Sequence, residues 1–339
     1  MSGSNPVALP LAVTMGEPAG IGGEIALKAW LDRRGGIPPF YVIDDPERLT
    51  ALAQHLGWPV RIRSIDTPDR ALAAFGDALP VVPIGMPVYA QPARPDPSDA
   101  PAILGAIQNA VRDVRSGRAA ALVTNPIHKD SLYRAGFHHP GHTEYLVELA
   151  GTSETPVMML VCPGLRVVPV TIHLPLRRAI ETLSTAAIVD AGRITDAALR
   201  RDFGVDAPIL AVAGLNPHAG EGGSLGGEEI DIIEPAITEL RAAGIDARGP
   251  LPPDTMFHAE ARRNYDAALC MYHDQALIPI KTIDFHGGVN VTLGLPFVRT
   301  SPDHGTAFTI AGQGSARADS LIAALRLAAE LATRRGAAG

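Results

Sequence analysis

Short apolar runs recur along the chain, each followed by a turn rich in Gly, Pro or His and then by a segment with helical periodicity. The runs show no alternation of apolar and polar residues and are rich in Val, Ile and Leu, which is typical of strands buried on both faces. They span residues 7–15, 119–124, 167–172, 208–215 and 267–272. The helical segments span 102–115, 144–150, 185–203, 228–243 and 319–335. This alternation predicts an α/β protein with a largely parallel sheet.

Glycine and proline are unusually frequent between these runs. The length of 339 residues favours about two domains, and 34 Gly with 30 Pro exceed the average share of these residues. Because no collagen-like period accompanies them, they predict many loops and turns of special backbone geometry. Loops carry a large share of binding and catalytic residues, so the candidate chemistry is sought there.

Charge and cysteine content argue against several classes of protein. The net charge is −7 and no basic stripe is present, which disfavours nucleic acid as the main partner. The two cysteines, Cys162 and Cys270, lie in apolar stretches, which predicts buried thiols and neither a disulfide framework nor a Cys-rich zinc site. The N-terminus lacks a signal-peptide pattern and no apolar stretch reaches the length of a membrane span, so we expect a cytoplasmic protein.

Three of the eleven histidines stand at equivalent positions. His173, His218 and His273 each follow the end of an apolar run. The carboxyl ends of parallel strands share one edge of a sheet, where ligands bind, so the three imidazoles are expected to converge. Neutral imidazole is the commonest nitrogen ligand of zinc and similar ions, and three protein nitrogens with one open position are typical of a catalytic metal site. Asp274, beside His273, is a candidate either to orient that imidazole through a hydrogen bond or to act as a general base.

Two glycine-containing segments precede helical runs. Gly141-His142-Thr143 stands before one helix, where Thr143 is the expected N-cap and the open backbone amides favour an anion such as phosphate. The segment 220–227 follows His218 and opens another helix. Like the first glycine-rich loop at 16–23, it has the spacing of neither a Walker nor a Rossmann motif.

Two cations downstream of the third histidine have apolar neighbours. Lys281 and Arg299 lie in a Gly- and Pro-rich region that also contains Asn290. A cation in such surroundings either extends its charged end to solvent or meets an anionic ligand. The sequence leaves both readings open.

Five motifs in order resemble the 4-hydroxythreonine-4-phosphate dehydrogenase family of pyridoxal phosphate biosynthesis. They are MGEPAGIG (15–22), GHTE (141–144), NPHAGE (216–221), YHDQ (272–275) and SPDHGT (301–306). The resemblance runs from about residue 9 to the last helix. The last motif, continued by Ala307, is also similar to the adenosine-binding loop of isopropylmalate and isocitrate dehydrogenases. Thr309 stands where that loop usually carries Asp, so the resemblance leaves the choice between NAD and NADP open.

The resemblance implies the site residues. A divalent ion (zinc, cobalt, magnesium or similar) would be held by His173, His218 and His273. The third histidine, His273, would be supplied by the other subunit of a homodimer whose active site lies at the interface. Further residues are implied to bind substrate, namely His142, Thr143, Lys281, Asn290 and Arg299, or cofactor, namely Asp303, His304, Gly305 and Thr306. For the general base, Asp274 and Asp254 are the two candidates.

The resemblance also implies a three-layer α/β/α fold like that of isocitrate and isopropylmalate dehydrogenases, with two subdomains and the active site in the cleft between them. We expect residues 1–128 with 287–339 to bind the dinucleotide. Residues 129–286 are expected to carry the metal, the substrate and the dimer contacts.

The implied reaction is oxidation of 4-phosphohydroxy-L-threonine at C3 by NAD(P), followed by decarboxylation to 3-amino-2-oxopropyl phosphate. Three alternatives remain from the sequence. The first is a related dehydrogenase of a sugar-acid 4-phosphate, such as threonate or erythronate, or of a cyclic dihydrodiol. The second is a metal hydrolase with three histidine ligands and no nicotinamide. The third is a non-catalytic protein that binds an anion or a metal.

Overall fold

The computed structural model describes residues 9–139 and 141–337, so the first two residues of the predicted run 7–15 lie outside the described part. The strands are β1 Leu11–Thr14, β2 Phe40–Asp44, β3 Ile62–Ser64, β4 Leu79–Pro83, β5 Leu122–Val123, β6 Val157–Cys162, β7 Leu165–Pro169, β8 Ile209–Ala213, β9 Asp246–Leu251, β10 Ala267–Cys270, β11 Val289–Leu293 and β12 Arg299–Pro302. The α-helices are α1 Gly22–Leu31, α2 Pro46–His55, α3 Ala71–Phe75, α4 Ala100–Arg115, α5 Lys129–Arg134, α6 His142–Ala150, α7 Leu176–Thr182, α8 Thr185–Arg201, α9 Glu234–Ala242, α10 His273–Ile283 and α11 Asp319–Ala337.

The chain divides into two compact units. Unit 1 comprises residues 1–153 with 295–333, and unit 2 comprises residues 154–294 with 334–339. The sequence-based boundaries at residues 128 and 286 fall earlier in the chain. Residues of α5 and α6, among them Leu132 and Leu146, pack into the hydrophobic core of unit 1, while β11 pairs with β6 in unit 2. These contacts explain why the unit boundaries lie where they do.

In its described residues, unit 1 contains six strands in the order β3-β4-β2-β1-β5-β12, all parallel. Every residue of β1 and β2 is buried. Tyr41 and Ile43 of β2 share a hydrophobic cluster with Ile103 and Ile107 of α4. Phe40, also of β2, packs edge-to-face on Phe75 of α3. Burial of consecutive residues requires cover on both faces of the strands, which explains the absence of alternation in the sequence.

The described part of unit 2 contains six strands in the order β11-β6-β7-β10-β8-β9. The strands β7, β10, β8 and β9 are parallel neighbours, while β6 runs antiparallel to both β7 and β11. The α/β class with largely parallel strands is therefore confirmed. The β6–β7 hairpin, whose turn contains Gly164 at φ 77°, was not predicted from the sequence.

The five predicted helical segments are helical in the structure, with one local difference. The segment 228–243 begins with a π-helical turn, Glu229–Ile233, and continues as α9. Cys162 and Cys270 are buried free thiols, as the apolar context predicted. Within the described residues, no helix combines the length and the apolarity that a bilayer crossing requires.

Candidate active site

Two of the three singled-out histidines lie side by side at the edge of the unit 2 sheet. β10 pairs in parallel with both β7 and β8, so the carboxyl ends of these strands meet at one edge. The ring centroids of His173 and His273 are 5.6 Å apart. Both rings line a pocket of about 220 Å³, together with Thr171, Tyr272 and Asp274 among others.

His218 does not complete this pair within one chain. It lies in the turn Pro217–Gly223 after β8. Across residues 9–139 and 141–337, no group of three or more His, Cys, Asp or Glu side chains is arranged to hold a metal ion. The described part of the chain therefore presents two adjacent imidazoles, which by their chemistry suit a divalent transition metal.

The backbone is strained at the histidine turns. His173 and His218 have φ values of 52° and 54°, in the left-handed region that non-glycine residues rarely adopt. Ala307, in the segment predicted to bind the cofactor, has φ 46°. Such conformations cost roughly 1–3 kcal/mol each and tend to cluster at functional sites. The surrounding structure must hold these turns in place.

The two candidate bases have different surroundings. Asp274 Oδ1 lies 2.7 Å from Nδ1 of His273, which fixes the orientation of that ring and leaves its Nε2 available to a ligand. Asp254 is exposed, and its turn, Pro253–Thr255, packs against the turn that carries His218. The geometry of Asp274 is that of an orienting carboxylate.

A buried cation lies in unit 1. Arg299 on β12 is 4% exposed, and its Nε and Nη2 donate to Thr124 Oγ1 over 3.2 and 2.7 Å. Burial lowers the pKa of Arg299 to about 10, so the guanidinium is still charged at neutral pH. A charged arginine at this depth favours an anionic ligand.

His142 opens α6 beside this arginine. Its Nε2 is buried and has no hydrogen-bond partner in the protein. Burial, together with the charges of Arg299 and Lys129, holds the pKa of His142 well below its usual value, so the ring is neutral at physiological pH. A Cβ on Gly141 would lie 3.2 Å from Lys129 Nζ, which places this lysine at the start of α6. Sequence reasoning missed Lys129, because only the fold brings it there.

The predicted N-cap is wrong. Gly141 is the N-cap of α6, with no side-chain cap bond, and Thr143 is the second residue of the helix. The extended backbone of Gly141 (φ −171°) starts the helix two residues earlier than the sequence indicated. Thr143 lies in the first turn, where the open backbone amides of a helix attract anions.

Lys281 and Asn290 belong to unit 2. The ammonium of Lys281, in the last turn of α10, lies 5.5 Å from the ring centroid of Phe285. Asn290, on β11, has a buried Oδ1 without a hydrogen-bond partner in the protein. The other three predicted substrate residues, His142, Thr143 and Arg299, belong to unit 1.

The segment predicted to bind the cofactor is anchored in unit 1. Asp303 N donates to Ser320 Oγ of α11 over 2.9 Å, and Ile21 N donates to Thr306 O over 3.0 Å. A Cβ on Gly20 would lie 2.9 Å from that same carbonyl oxygen, so only glycine fits there. The first glycine-rich loop thus supports the segment that contains Thr306.

Parallel strands with polar groups gathered at their carboxyl ends define an α/β enzyme architecture. The particular family follows from comparison with known proteins. Residues 37–328 match the pyridoxal phosphate biosynthetic protein PdxA family, and the chain belongs to this family. The resemblance inferred from the five motifs is thereby confirmed.

Relatives and solved structures agree with this assignment. The chain is 57% identical to a 4-hydroxythreonine-4-phosphate dehydrogenase of Bradyrhizobium diazoefficiens, over 98% of this chain and 99% of the relative. It is similar to the crystal structure of the enzyme of that name from Klebsiella pneumoniae, with TM-score 0.86, 38% identity and coverage of 96% and 99%. It is also similar to a terephthalate 1,2-cis-dihydrodiol dehydrogenase from Burkholderia xenovorans, with TM-score 0.63, 27% identity and coverage of 95% and 98%.

Proposed function

We propose that this protein is a 4-hydroxythreonine-4-phosphate dehydrogenase that depends on NAD or NADP and on a divalent metal ion. It would oxidise 4-phosphohydroxy-L-threonine at C3, passing a hydride to the nicotinamide and the hydroxyl proton to a base. The resulting β-keto acid loses carbon dioxide to give 3-amino-2-oxopropyl phosphate. The observation that carries the proposal is the His173–His273 pair in a chain of the PdxA family.

The phosphate group is assigned to the cationic cluster of unit 1. Arg299 and Lys129 supply positive charge, and the first turn of α6 supplies backbone amides. The buried Nε2 of neutral His142 offers one further hydrogen bond. This nitrogen gains a partner when an anion binds, which supports the role. Lys281 and Asn290 are proposed as additional substrate contacts, Asn290 through its buried Oδ1.

The metal ion is assigned to His173 and His273, with His218 as the third ligand. When bound, such an ion supplies Lewis acidity that favours deprotonation of the substrate hydroxyl and stabilises negative charge during decarboxylation. Asp274 Oδ1 accepts a hydrogen bond from the Nδ1–H group of His273 and so holds the ring with Nε2 directed to the ligand. Asp254, which is exposed and lies next to the His218 turn, remains the candidate for the general base.

We further propose that the third histidine comes from a second copy of the chain, in a homodimer. Several apolar side chains close to the histidine pair in sequence are exposed, and they would be covered by such a partner. They include Leu176 at 58%, Ile278 at 64% and Phe285 at 68% exposure. A shared site also explains why one chain groups only two imidazoles.

The cofactor is assigned to the segment 303–306, which α11 and the first glycine-rich loop hold in place. Phe308 continues this segment and packs edge-to-face on His128 at 4.9 Å. A cytoplasmic location completes the proposal, since phosphorylated metabolites and nicotinamide dinucleotides are cytoplasmic pools.

A complementation experiment tests the shared metal site. His218→Ala and His173→Ala are each expected to lose bound metal and turnover. If His218 acts in the partner's site, mixed dimers contain one intact site, and mixing the two inactive variants should restore about a quarter of the wild-type activity. No recovery after subunit exchange would contradict the shared site, and normal metal content in His218→Ala would contradict the ligand assignment.

The second candidate function is a dehydrogenase of another substrate on the same scaffold. Similarity to the dihydrodiol dehydrogenase favours a cyclic dihydrodiol, and sugar-acid 4-phosphates fit the same cationic cluster. A substrate panel followed by formation of reduced nicotinamide decides among them. The hydrolase and the non-catalytic alternatives lose support, because the relatives are dehydrogenases.

A further inference from the structure

The turn that carries His218 has an unusual backbone. Five consecutive residues, 218–222, have φ values between 43° and 77°. His218, Ala219 and Glu221 are not glycine, and left-handed conformation costs such residues about 1–2 kcal/mol each. The turn therefore needs specific contacts to stay in this form.

Glu229 supplies such contacts. Its side chain is 2% exposed, and Oε1 accepts hydrogen bonds from the backbone amides of Leu215 and Asn216, each 2.7 Å long. Oε2 accepts a bond from Asn216 Nδ2 over 2.9 Å. The same carboxylate faces Gly220, where a Cβ would lie 2.6 Å from Oε2. Glu229 thus fills the inside of the turn and fixes the two residues that lead into it.

Glu229 itself belongs to an irregular helix. Glu229 opens the π-helical turn Glu229–Ile233, and π-helical turns occur frequently at functional sites. Glu228, the preceding residue, adds one bond from Asn216 Nδ2 over 2.8 Å. The carboxylate of Glu229 is the buried and more extensively bonded of the two.

Gln275 connects this turn with the other histidine loop. Its side chain is 6% exposed. Nε2 donates to the carbonyl oxygen of Gly214 over 2.7 Å, and Oε1 accepts from the amide of Met271 over 2.6 Å. Gly214 directly precedes the residues that Glu229 binds, and Met271 lies two residues before His273. One buried amide therefore ties together the backbone of both loops.

We propose that Glu229 and Gln275 are positioning residues that hold the His218 turn and the His273 loop in place, so that each histidine meets the metal site that it serves, and thereby set metal affinity. The inference rests on the proposed function, since it takes these histidines as ligands. Neither residue touches the metal or the substrate. Each acts through the backbone that carries a ligand, and partners of this kind change metal affinity by about 10- to 100-fold when removed.

Cobalt binding to the full-length protein tests the proposal without substrate or nicotinamide. In Glu229→Gln one oxygen is replaced by an NH₂ group that cannot accept the Asn216 bond, and in Gln275→Asn the shorter side chain cannot bridge both backbone groups. Each variant should raise the Co²⁺ dissociation constant about 10- to 100-fold and alter the visible absorption bands of bound Co²⁺. Glu234→Gln, an exposed neighbour on α9, should match the wild type.

The outcomes are distinct. Unchanged Co²⁺ affinity and spectrum in Glu229→Gln and Gln275→Asn would overturn the positioning role, whatever their thermal stability, and a wild-type chain that binds no Co²⁺ would overturn the metal assignment with it. If Glu229→Gln does not fold, Gln275→Asn still decides. Normal Co²⁺ binding by the wild type without turnover of the phosphorylated substrate would overturn the proposed function. The positioning role would then still be decided by the Co²⁺ affinities of the two variants.

Discussion

Glu17, in the first glycine-rich loop, is buried with a single hydrogen bond to its carboxyl group. The side chain is 1% exposed. Oε1 accepts from the amide of Ala19 over 3.1 Å, while Oε2 is buried without a partner in the protein. Burial raises the pKa of Glu17 from 4.5 to about 7, and the Ala19 bond opposes this only in part. The ionised form is therefore destabilising in the folded state.

The pKa rise gives the size and the sign of a pH effect on folding. Because the folded-state pKa is the higher one, the stabilisation is fully present below pH 4.5 and is lost as the pH rises through about 7. The rise corresponds to about 3 kcal/mol in total, of which about 2–3 kcal/mol falls between pH 5 and pH 8. Glutamine cannot ionise and retains an oxygen for the Ala19 amide.

We expect Glu17→Gln to gain about 2–3 kcal/mol over the wild type in unfolding free energy when the pH is raised from 5 to 8. Urea unfolding followed by circular dichroism at both pH values measures the difference. Glu260→Gln, at an exposed position, should show the same change in unfolding free energy between the two pH values as the wild type. The reasoning is refuted if the wild type and Glu17→Gln differ by the same amount at both pH values.

Three further predictions concern other parts of the structure. Arg299→Ala should raise KM for a phosphorylated substrate far more than for its phosphate-free analogue, because the guanidinium is assigned to the phosphate; equal losses on both substrates would contradict this. Tyr41→Phe should lower the unfolding free energy by about 1–3 kcal/mol, since the Tyr41 hydroxyl donates to Asp113 Oδ2 over 2.7 Å in the core; an unchanged urea midpoint would count against that bond. The thiols of Cys162 and Cys270 should react with a disulfide reagent only after unfolding, because burial raises both pKa values, that of Cys162 to about 11; fast reaction of the native protein would contradict their burial.

The sequence predicted that histidines lie at the carboxyl ends of strands, because short segments of the sequence carry that information. Each apolar run marks a buried strand, and His173, His218 and His273 follow the ends of such runs. A parallel sheet then brings strand ends to one edge whatever the order of the strands. The adjacency of β7, β10 and β8 could not be read in advance, because pairing is decided by contacts between residues far apart in the chain.

The features that sequence reasoning missed depend on such distant contacts. Lys129 and Gly141 come together only when α5 and α6 have folded, and the N-cap was misplaced at Thr143 because the extended backbone at Gly141 has no sequence signature. Glu229 looks like an ordinary helical glutamate until its bonds to Leu215 and Asn216 are known. The left-handed turn at His218 is likewise invisible in a sequence where only some of its residues are glycine.

Turnover of 4-phosphohydroxy-L-threonine tests the central claim most directly. The purified protein is assayed with NAD⁺ and with NADP⁺, before and after removal of metal by a chelator, and reduced nicotinamide, carbon dioxide and 3-amino-2-oxopropyl phosphate are measured together. We expect the three products in equal amounts with at least one of the two cofactors, loss of turnover after chelation, and recovery when a divalent ion is returned. Absence of turnover with either cofactor in the metal-loaded protein, or full activity after complete removal of metal, would contradict the account.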